Sequence, residues 1–290
     1  MLDMLNTEQQ NIEITPEQLG NWFPMIGLPC YDRMVTEPFF MKFMQTVMWF
    51  KEIGLKFAVS TVSDSLINRA RNNVVAKFMA NPQCTHLLFI DVDLTWTPSD
   101  ILKMLWHDKD IICGSYPIKD INWERVAKFA KEGVAPDDLA KKSTRFVVNP
   151  VSTKDIGDDG KAKIKMNNGC MAVYDAGTGF MMIKREVFTK MFEAYPELKF
   201  DDDTGSIKGD ERDNTYALFN SYVDPETKRF LSEDYGFCRY WQKIGGEIWI
   251  DPAIELSHLG RFEFKGSQMD RLVEQSQEYI NRQKKLNSEN

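Results

Sequence analysis

Thr85-His86-Leu87-Leu88-Phe89-Ile90-Asp91-Val92-Asp93 decides how this chain reads. An apolar run of strand length ends in two carboxylates spaced i and i+2. Alternate residues of a strand share one side, so Asp91 and Asp93 are expected to converge at the strand's C-terminal edge. Two such carboxylates repel unless a cation lies between them, and a hard divalent ion with oxygen ligands is the usual solution. Open α/β sheets bind ligands at that same edge, where an ion can grip the diphosphate of a nucleotide. Asp108 with Asp110, and Asp201-Asp202-Asp203, repeat the pattern elsewhere. The second of these lies among Thr204, Gly205 and Ser206 and reads as a solvated turn.

Outward from this strand the chain alternates. Trp22 to Pro29 reads as a first strand, Glu37 to Glu52 as a helix and Leu55 to Val62 as a second strand. Ser65 to Ala80 reads as a helix with Asp64 or Ser65 at its N-cap. After the third strand, Pro98 to His107 reads as a helix and Asp110 to Ser115 as a fourth strand. Residues 22–115 therefore predict β-α-β-α-β-α-β at short spacing, an α/β fold with a mostly parallel central sheet and helices on both faces. The first βα turn lacks Gly-x-Gly-x-x-Gly and no Walker A motif occurs, which argues against dinucleotide oxidoreductases and P-loop enzymes.

Residues 120–170 read as a small polar excursion, with a helix over Trp123 to Glu132 and a hairpin around Gly157-Asp158-Asp159-Gly160. Order returns with Gly177-Thr178-Gly179 turning into a strand through Ile183, then a helix over Arg185 to Tyr195. Residues 198–230 are loop-rich. Ser232-Glu233-Asp234 opens a helix through Lys243 that Gly245-Gly246 ends, and Glu247 to Asp251 is a short strand. The expected division is a loose leader over 1–20, one domain over 21–266 and a polar helical tail over 267–290. Within the domain, 22–115 forms a nucleotide-binding half and 171–266 an acceptor-binding half.

Composition narrows the class. The 290 residues carry a net charge of −7, which argues mildly against tight non-specific nucleic-acid binding. The five cysteines show no Cys-x-x-Cys spacing, so free thiols in a reducing compartment are expected. Three histidines exclude a His-rich metal cluster. No apolar run reaches about 18 residues and the N-terminus is polar, so a cytoplasmic protein without integral membrane association is expected.

Several segments, in this order, resemble the GT-A class of nucleotide-sugar glycosyltransferases. Ala70-Arg71-Asn72-Asn73 followed by Asp91-Val92-Asp93 is similar to the "ARN … DxD" stretch of family 2-like members. Ser232-Glu233-Asp234-Tyr235-Gly236-Phe237 resembles their "ED" segment, and Leu256-Ser257-His258 their C-terminal metal-site histidine. With Pro29-Cys30-Tyr31, Gly114-Ser115-Tyr116-Pro117 and Gly177-Thr178-Gly179-Phe180, the chain most resembles small single-domain enzymes of phages, large DNA viruses and bacteria, over about residues 22–266. The Gln-x-x-Arg-Trp signature of processive synthases is absent; Arg239-Tyr240-Trp241 is a partial echo.

The resemblance implies a GT-A (Rossmann-like) fold and a metal-dependent transfer of sugar from a nucleotide-diphosphate sugar, UDP-sugar favoured, to an acceptor hydroxyl. Mn²⁺ or Mg²⁺ would be held by Asp93, with Asp91 as a metal or ribose contact and His258 as third ligand, unless His258 is a core histidine bonded to a backbone carbonyl; an imidazole ligand favours Mn²⁺. The donor would touch Pro29, Cys30, Tyr31, Asp64, Val92 and Arg71 or Arg69, with Arg71 the better candidate for the diphosphate. Asp234, with Glu233 as runner-up or orienting partner, would take the acceptor proton in an inverting reaction, both helped by a helix N-terminus. Each also has a plain alternative, a helix-capping role. Gly177, Thr178 and Gly179 would let a sugar approach the backbone, and Tyr116, Trp241 and Trp249 would stack on sugar faces unless they are core. The acceptor stays open among a glycan, a protein and a hydroxymethylated DNA base. The last would need a basic groove from Lys141, Lys142, Arg145, Lys161, Lys163 and Lys165. Two other classes compete: a sugar nucleotidyltransferase, which usually has a Gly-rich loop where this chain has Pro29-Cys30-Tyr31-Asp32-Arg33, and a non-catalytic carbohydrate-binding protein.

Overall fold

The computed structural model describes residues 14–146, 148–156 and 162–261. The chain opens with α1 (Pro16–Asn21), β1 (Pro24–Pro29), α2 (Glu37–Ile53), β2 (Ala58–Val62) and α3 (Ile67–Ala80). It continues with β3 (His86–Ile90), β4 (Leu94–Thr95), α4 (Pro98–His107), β5 (Ile111–Cys113), α5 (Trp123–Lys131) and α6 (Pro136–Ser143). Then come β6 (Ser152–Ile156), β7 (Ala162–Ile164), β8 (Met166–Asn167), β9 (Cys170–Val173), β10 (Phe180–Lys184) and α7 (Arg185–Ala194). The last elements are β11 (Tyr222–Val223), β12 (Phe230–Leu231), α8 (Glu233–Lys243), β13 (Ile248–Ile250) and β14 (Ser257–His258).

Eight strands form the central sheet in the order β2-β1-β3-β10-β5-β13-β9-β8. β1 runs parallel to β2 and β3, and β5 parallel to β13. β10 is antiparallel to both β3 and β5, and β9 is antiparallel to both β13 and β8. Six strands thus share one direction and two oppose it. β10 is inserted between β3 and β5, a neighbour relation that the β-α alternation does not encode. Its Phe180-Met181-Met182-Ile183 run is buried throughout, and an apolar run of that kind suits a central strand on either neighbour.

The alternation of β3 explains the two layers. Leu87 and Phe89 face one core with Val74, Val75 and Phe78 of α3, Val187 and Phe188 of α7, and Phe237 and Trp241 of α8. Leu88 and Ile90 face the other with Phe39 and Phe50 of α2 and Ile101 and Leu105 of α4. Helices therefore cover both faces, as the sequence pattern implies. Gly27 in β1 lets α3 lie close: a Cβ there would meet Val74 Cγ1 at 2.6 Å.

Three expectations need correction. Residues 16–21, inside the expected leader, form a helix with a Thr15/Gln18 capping box; residues 1–13 and 262–290 lie outside the described residues. α3 begins at Ile67 with Leu66 at its N-cap, not at Ser65. Asp64 instead accepts from Leu66 N at 3.0 Å. The excursion holds a second helix, α6, beside α5; Pro136 at its first turn was the available signal. The expected hairpin forms between β6 and β7, with Gly157 to Lys161 outside the described residues. Contacts group Met1–Leu259 as one unit and Gly260–Asn290 as another.

Candidate active site

The chain leaves β3 after Ile90 and turns at once, so the two-residue strand period no longer governs Asp91 and Asp93. Asp91 N donates to Gly179 O at 2.8 Å and Leu94 N to Asp91 O at 3.1 Å, which closes the turn. The Val92 carbonyl accepts from Thr36 N at 3.1 Å and from Thr36 Oγ1 at 3.0 Å, so its backbone is spent on tying the turn to α2. Asp91 goes inward to Arg71, whereas Asp93 faces His258 and Lys119. The expected three-ligand set of Asp91, Asp93 and His258 is therefore not assembled. Among the described residues no group of three or more His, Cys, Asp or Glu is placed to hold a metal.

Asp93 and His258 do meet, and the fold explains how. β14 pairs antiparallel with β4, His258 opposite Leu94, and Leu259 N donates to Asp93 O at 2.8 Å. This ribbon leaves His258 Nε2 at 3.5 Å from Asp93 Oδ1. The other ring nitrogen, Nδ1, lies 2.9 Å from the Pro117 carbonyl. A carbonyl only accepts, so Nδ1 carries the hydrogen and a neutral ring turns its Nε2 lone pair toward Asp93. A protonated ring donates Nε2–H to Asp93 as an ion pair, whereas the neutral ring's lone pair facing the carboxylate is repulsive without a cation between them. A ligating histidine commonly donates its other N–H to a backbone carbonyl in this way. Neighbouring ligands of one octahedral ion with bonds of about 2.1 Å lie roughly 3 Å apart, so the spacing of this pair fits one ion. Lys119 Nζ donates to Asp93 Oδ2. Burial pushes the Asp93 carboxyl up, but the hydrogen bond and charge of a protonated His258, together with those of Lys119, outweigh it and hold it at about 2.

Arg71 lies beneath. It is 4% exposed; Nη2 donates to Asp91 Oδ1 at 3.1 Å and Nε to Glu233 Oε1 at 3.4 Å, and the guanidinium lies 5.5 Å from the Phe89 ring centroid. Burial opposes its charge, and Asp91 and Glu233 more than compensate, so its pKa stays above the ordinary value. Arg71 thus faces two carboxylates inside the fold, not an open diphosphate site as the resemblance implied. It joins α3, the end of β3 and the start of α8. The next residue, Asn72, brackets the Phe219 backbone, accepting from its N at 2.9 Å and donating to its O at 3.0 Å. Arg69, two residues earlier, turns elsewhere and grips Asp64 with Nε at 2.6 Å and Nη2 at 2.8 Å. Both Asp64 oxygens are thereby occupied, and the Arg69 bonds hold its pKa below the usual range.

Two clefts flank this centre. The first, about 370 Å³, is lined by Tyr31, Asp32, Arg33, Ser63, Asp64 and Ser65 at the ends of β1 and β2. Pro29 and Cys30 are buried behind it, Cys30 N donating to Val62 O at 2.8 Å. Tyr31 is 66% exposed. Asp32 and Arg33, with φ of 52° and 57°, make the turn that brings it there.

The second cleft, about 320 Å³, lies between the ends of β5 and β13 and the start of α8. Ser115, Tyr116, Ile118, Gly177, Asp234 and Tyr235 are among its lining residues. Asp234 Oδ1 accepts from Tyr235 N at 2.8 Å and from the Ser232 hydroxyl. Among the described residues no partner meets its Oδ2. Gly177 and Gly179 are glycines for Tyr116: Cβ atoms there would meet its Oη at 2.2 Å and its Cζ at 2.8 Å, and the one at Gly179 would also meet Asp91 Oδ2 at 2.9 Å. The space expected for a sugar at these glycines is filled by the tyrosine, whose hydroxyl accepts from Gly179 N at 3.3 Å. Burial, then the Asp91 charge, push that hydroxyl's pKa up. Thr178 is fully buried. Trp241 is buried, donates Nε1 to Glu247 O at 3.1 Å and packs flat on Gly246. Trp249 is buried as well. Both are core, so neither offers a face to a sugar.

Sequence reasoning missed Lys119, which stands in no motif, and the Arg71–Glu233 contact, which spans 162 positions. It also missed Asp175, 1% exposed and paired with Arg239 at 2.8 Å, which ties the loop before Gly177 to α8. The imagined basic groove is depleted: Lys141 pairs with Glu255, Arg145 with Asp120 and Lys165 with Glu247.

No protein-family model matches the chain, and no curated protein matches it. Among solved structures it is similar to A197 from STIV, with a TM-score of 0.42 and 13% identity over 83% of this chain and 86% of that one. It is similar to GalNAc-T7 crystallised with UDP, GalNAc and Mn²⁺, with a TM-score of 0.38 and 10% identity over 85% of this chain and 45% of that one. A third is the inositol-1-phosphate CTP transferase from T. maritima, with a TM-score of 0.38 and 9% identity over 88% and 95% of the two chains.

Proposed function

We propose that the protein is a metal-dependent GT-A glycosyltransferase that moves a sugar from a nucleoside-diphosphate sugar, UDP-sugar favoured, to an acceptor hydroxyl with inversion. One observation carries the reading: at the carboxyl edge of the sheet, Asp93 faces a histidine whose Nδ1–H is fixed on a carbonyl, leaving Nε2 and Oδ1 3.5 Å apart. That donor set suits Mn²⁺ better than Mg²⁺. When bound, the ion neutralises the charge developing on the leaving diphosphate.

The chain's own residues supply the remainder. Tyr31 stacks on the base in the first cleft, whose walls are the ends of β1 and β2. Arg71 keeps Asp91 and Glu233 in place without touching donor. Asp234 receives the acceptor hydroxyl's proton on Oδ2, since Oδ1 is held by the Tyr235 N–H. In this reading residues 22–115 bind the nucleotide and the second cleft, within 171–266 and its neighbours, binds the acceptor. A hydroxyl on a glycan or protein fits better than one on DNA, because Lys141, Arg145 and Lys165 are already paired.

The test is calorimetric titration of UDP, GDP and their sugars with and without Mn²⁺. Metal-dependent binding of one diphosphate that disappears in Asp93→Asn is the expected result. Binding by Asp93→Asn equal to that of the unaltered protein sinks the site. Release of pyrophosphate from a nucleoside triphosphate would point to the nucleotidyltransferase class instead.

A further inference from the structure

Lys119 is explained neither by the motifs nor by the transfer just proposed. Its ammonium donates to Asp93 Oδ2, while Asp93 Oδ1 faces His258. The backbone on both sides of it is pinned. Pro117 O receives the His258 Nδ1–H, Ile118 N donates to Arg145 O at 2.9 Å, and Asp120 N donates to Ile118 O at 2.8 Å. The side chain, by contrast, is 40% exposed. A lysine on a pinned backbone with an exposed stem moves its charge by rotating its own torsions, with no change in the segment that carries it.

An ion seated between Asp93 and His258 would share a carboxylate with this ammonium. Two cations on one carboxylate repel, and the ammonium on its exposed stem is the one free to move away. We propose that Lys119 is the resident counter-ion of Asp93, that a divalent metal displaces it, and that the displaced ammonium then binds a phosphate of the nucleoside diphosphate. This rests on the metal-dependent reading above. Its consequence is coupling: metal alone must break the Lys119–Asp93 pair, whereas metal with diphosphate gives the ammonium a new anionic partner. Each ligand then raises the other's affinity by the same factor. The segment that carries Lys119 also lines the second cleft through Tyr116 and Ile118, so the switch lies beside the acceptor's place.

The experiment is Mn²⁺ titration followed by the free-ion paramagnetic resonance signal, alone and with UDP or GDP, on the unaltered protein, Lys119→Met and Lys119→Arg. Removing an exposed ion pair and its repulsion is expected to tighten Mn²⁺ alone about fivefold in Lys119→Met. Diphosphate binding in saturating Mn²⁺ is expected to weaken about tenfold with the loss of a charge-assisted hydrogen bond. Lys119→Arg keeps both behaviours near those of the unaltered protein. Mn²⁺ alone binding to Lys119→Met with equal or lower affinity, while the unaltered protein binds Mn²⁺ and diphosphate, overturns the counter-ion proposal only. Failure of every variant to take up Mn²⁺ with either diphosphate overturns the metal-dependent reading, and this proposal with it.

Discussion

At the scale of single residues the centre is an arrangement of buried charge, and Arg71 is its keystone. It is 4% exposed and its two carboxylate partners come from positions 20 and 162 residues away. Removing the cation of a buried network leaves its anions uncompensated, which commonly costs 3–5 kcal/mol. Asp91 retains 28% of its side-chain exposure and Glu233 15%, so solvent takes up part of that. Arg71→Met is expected to lose about 2 kcal/mol in urea unfolding, and Arg71→Lys to recover little, because one ammonium cannot reach both carboxylates with the geometry of a guanidinium. A loss under 0.5 kcal/mol would mean that the carboxylates carry themselves. The sequence made Asp91 and Asp93 legible, since a run of apolar residues ending in acids is readable locally, whereas Arg71, Glu233 and His258 entered through the resemblance alone. It did not show who faces whom. Asp91 and Asp93 part company because the strand has ended by Ile90, and a two-residue period has no authority in a turn. Asp234 has its own test at this scale: Asp234→Asn should keep metal-dependent donor binding and lower transfer at least 100-fold. Normal turnover by that variant removes it as the base.

At the scale of elements, what decides is how closely backbones approach. α8 stops at Lys243, Gly245 with φ of 90° turns the chain out of it, and Gly246 follows flat against the Trp241 indole, where a Cβ would meet Cε2 at 2.1 Å. Gly246→Ala must push the ring aside and stretch its bond to Glu247 O, the link that carries the chain from α8 into β13. A strained repacking of this kind costs about 1–3 kcal/mol. Gly20 has open space around its Cβ position, so Gly20→Ala is the comparison expected to fall within about 0.5 kcal/mol of the unaltered protein. Equal midpoints for the two variants would refute the packing argument. The glycine pair at 245 and 246 was readable as a helix stop, but the indole on Gly246 was not, because a contact between a helix and the chain after it leaves no periodic trace. α6 was missed for a related reason: it lies in a polar excursion and buries only Ser143, so its apolar stripe is too thin to show. β10 was visible as a strand, yet its insertion between β3 and β5 depends on pairing across 68 to 98 residues, which no local pattern encodes.

At the scale of the whole molecule, the β-α alternation of residues 22–115 was enough to foretell helices on both faces, and β3 holds a group that links the fold to pH. His86 is 7% exposed, shares a 2.8 Å contact between Nδ1 and Thr85 Oγ1, and lies in register opposite Lys184 across the β3–β10 pair. Lys184 is itself paired with Asp108 at 2.6 Å. Burial first, and the Lys184 charge second, lower the His86 pKa from 6.5 to about 4. The unfolded chain therefore binds more protons than the folded one between these values, and stability rises with pH there. Below pH 4 both forms are protonated, and above 6.5 both are neutral, so the loss on acidification is confined to that interval. A shift of this size corresponds to about 3 kcal/mol. Depressed carboxylates such as Asp93, held at about 2, withdraw their contribution only as pH falls below the unfolded carboxylate range. The two effects thus occupy separate windows. Urea midpoints measured from pH 7.5 to 3 should fall steeply between 6.5 and 4. His86→Gln, which keeps a polar partner for Thr85 without titrating, should flatten that slope and leave the acid limb below 4 unchanged. An unaltered slope between 6.5 and 4 in His86→Gln would show that another group carries the proton, and that the buried strand on which the site is built is indifferent to it.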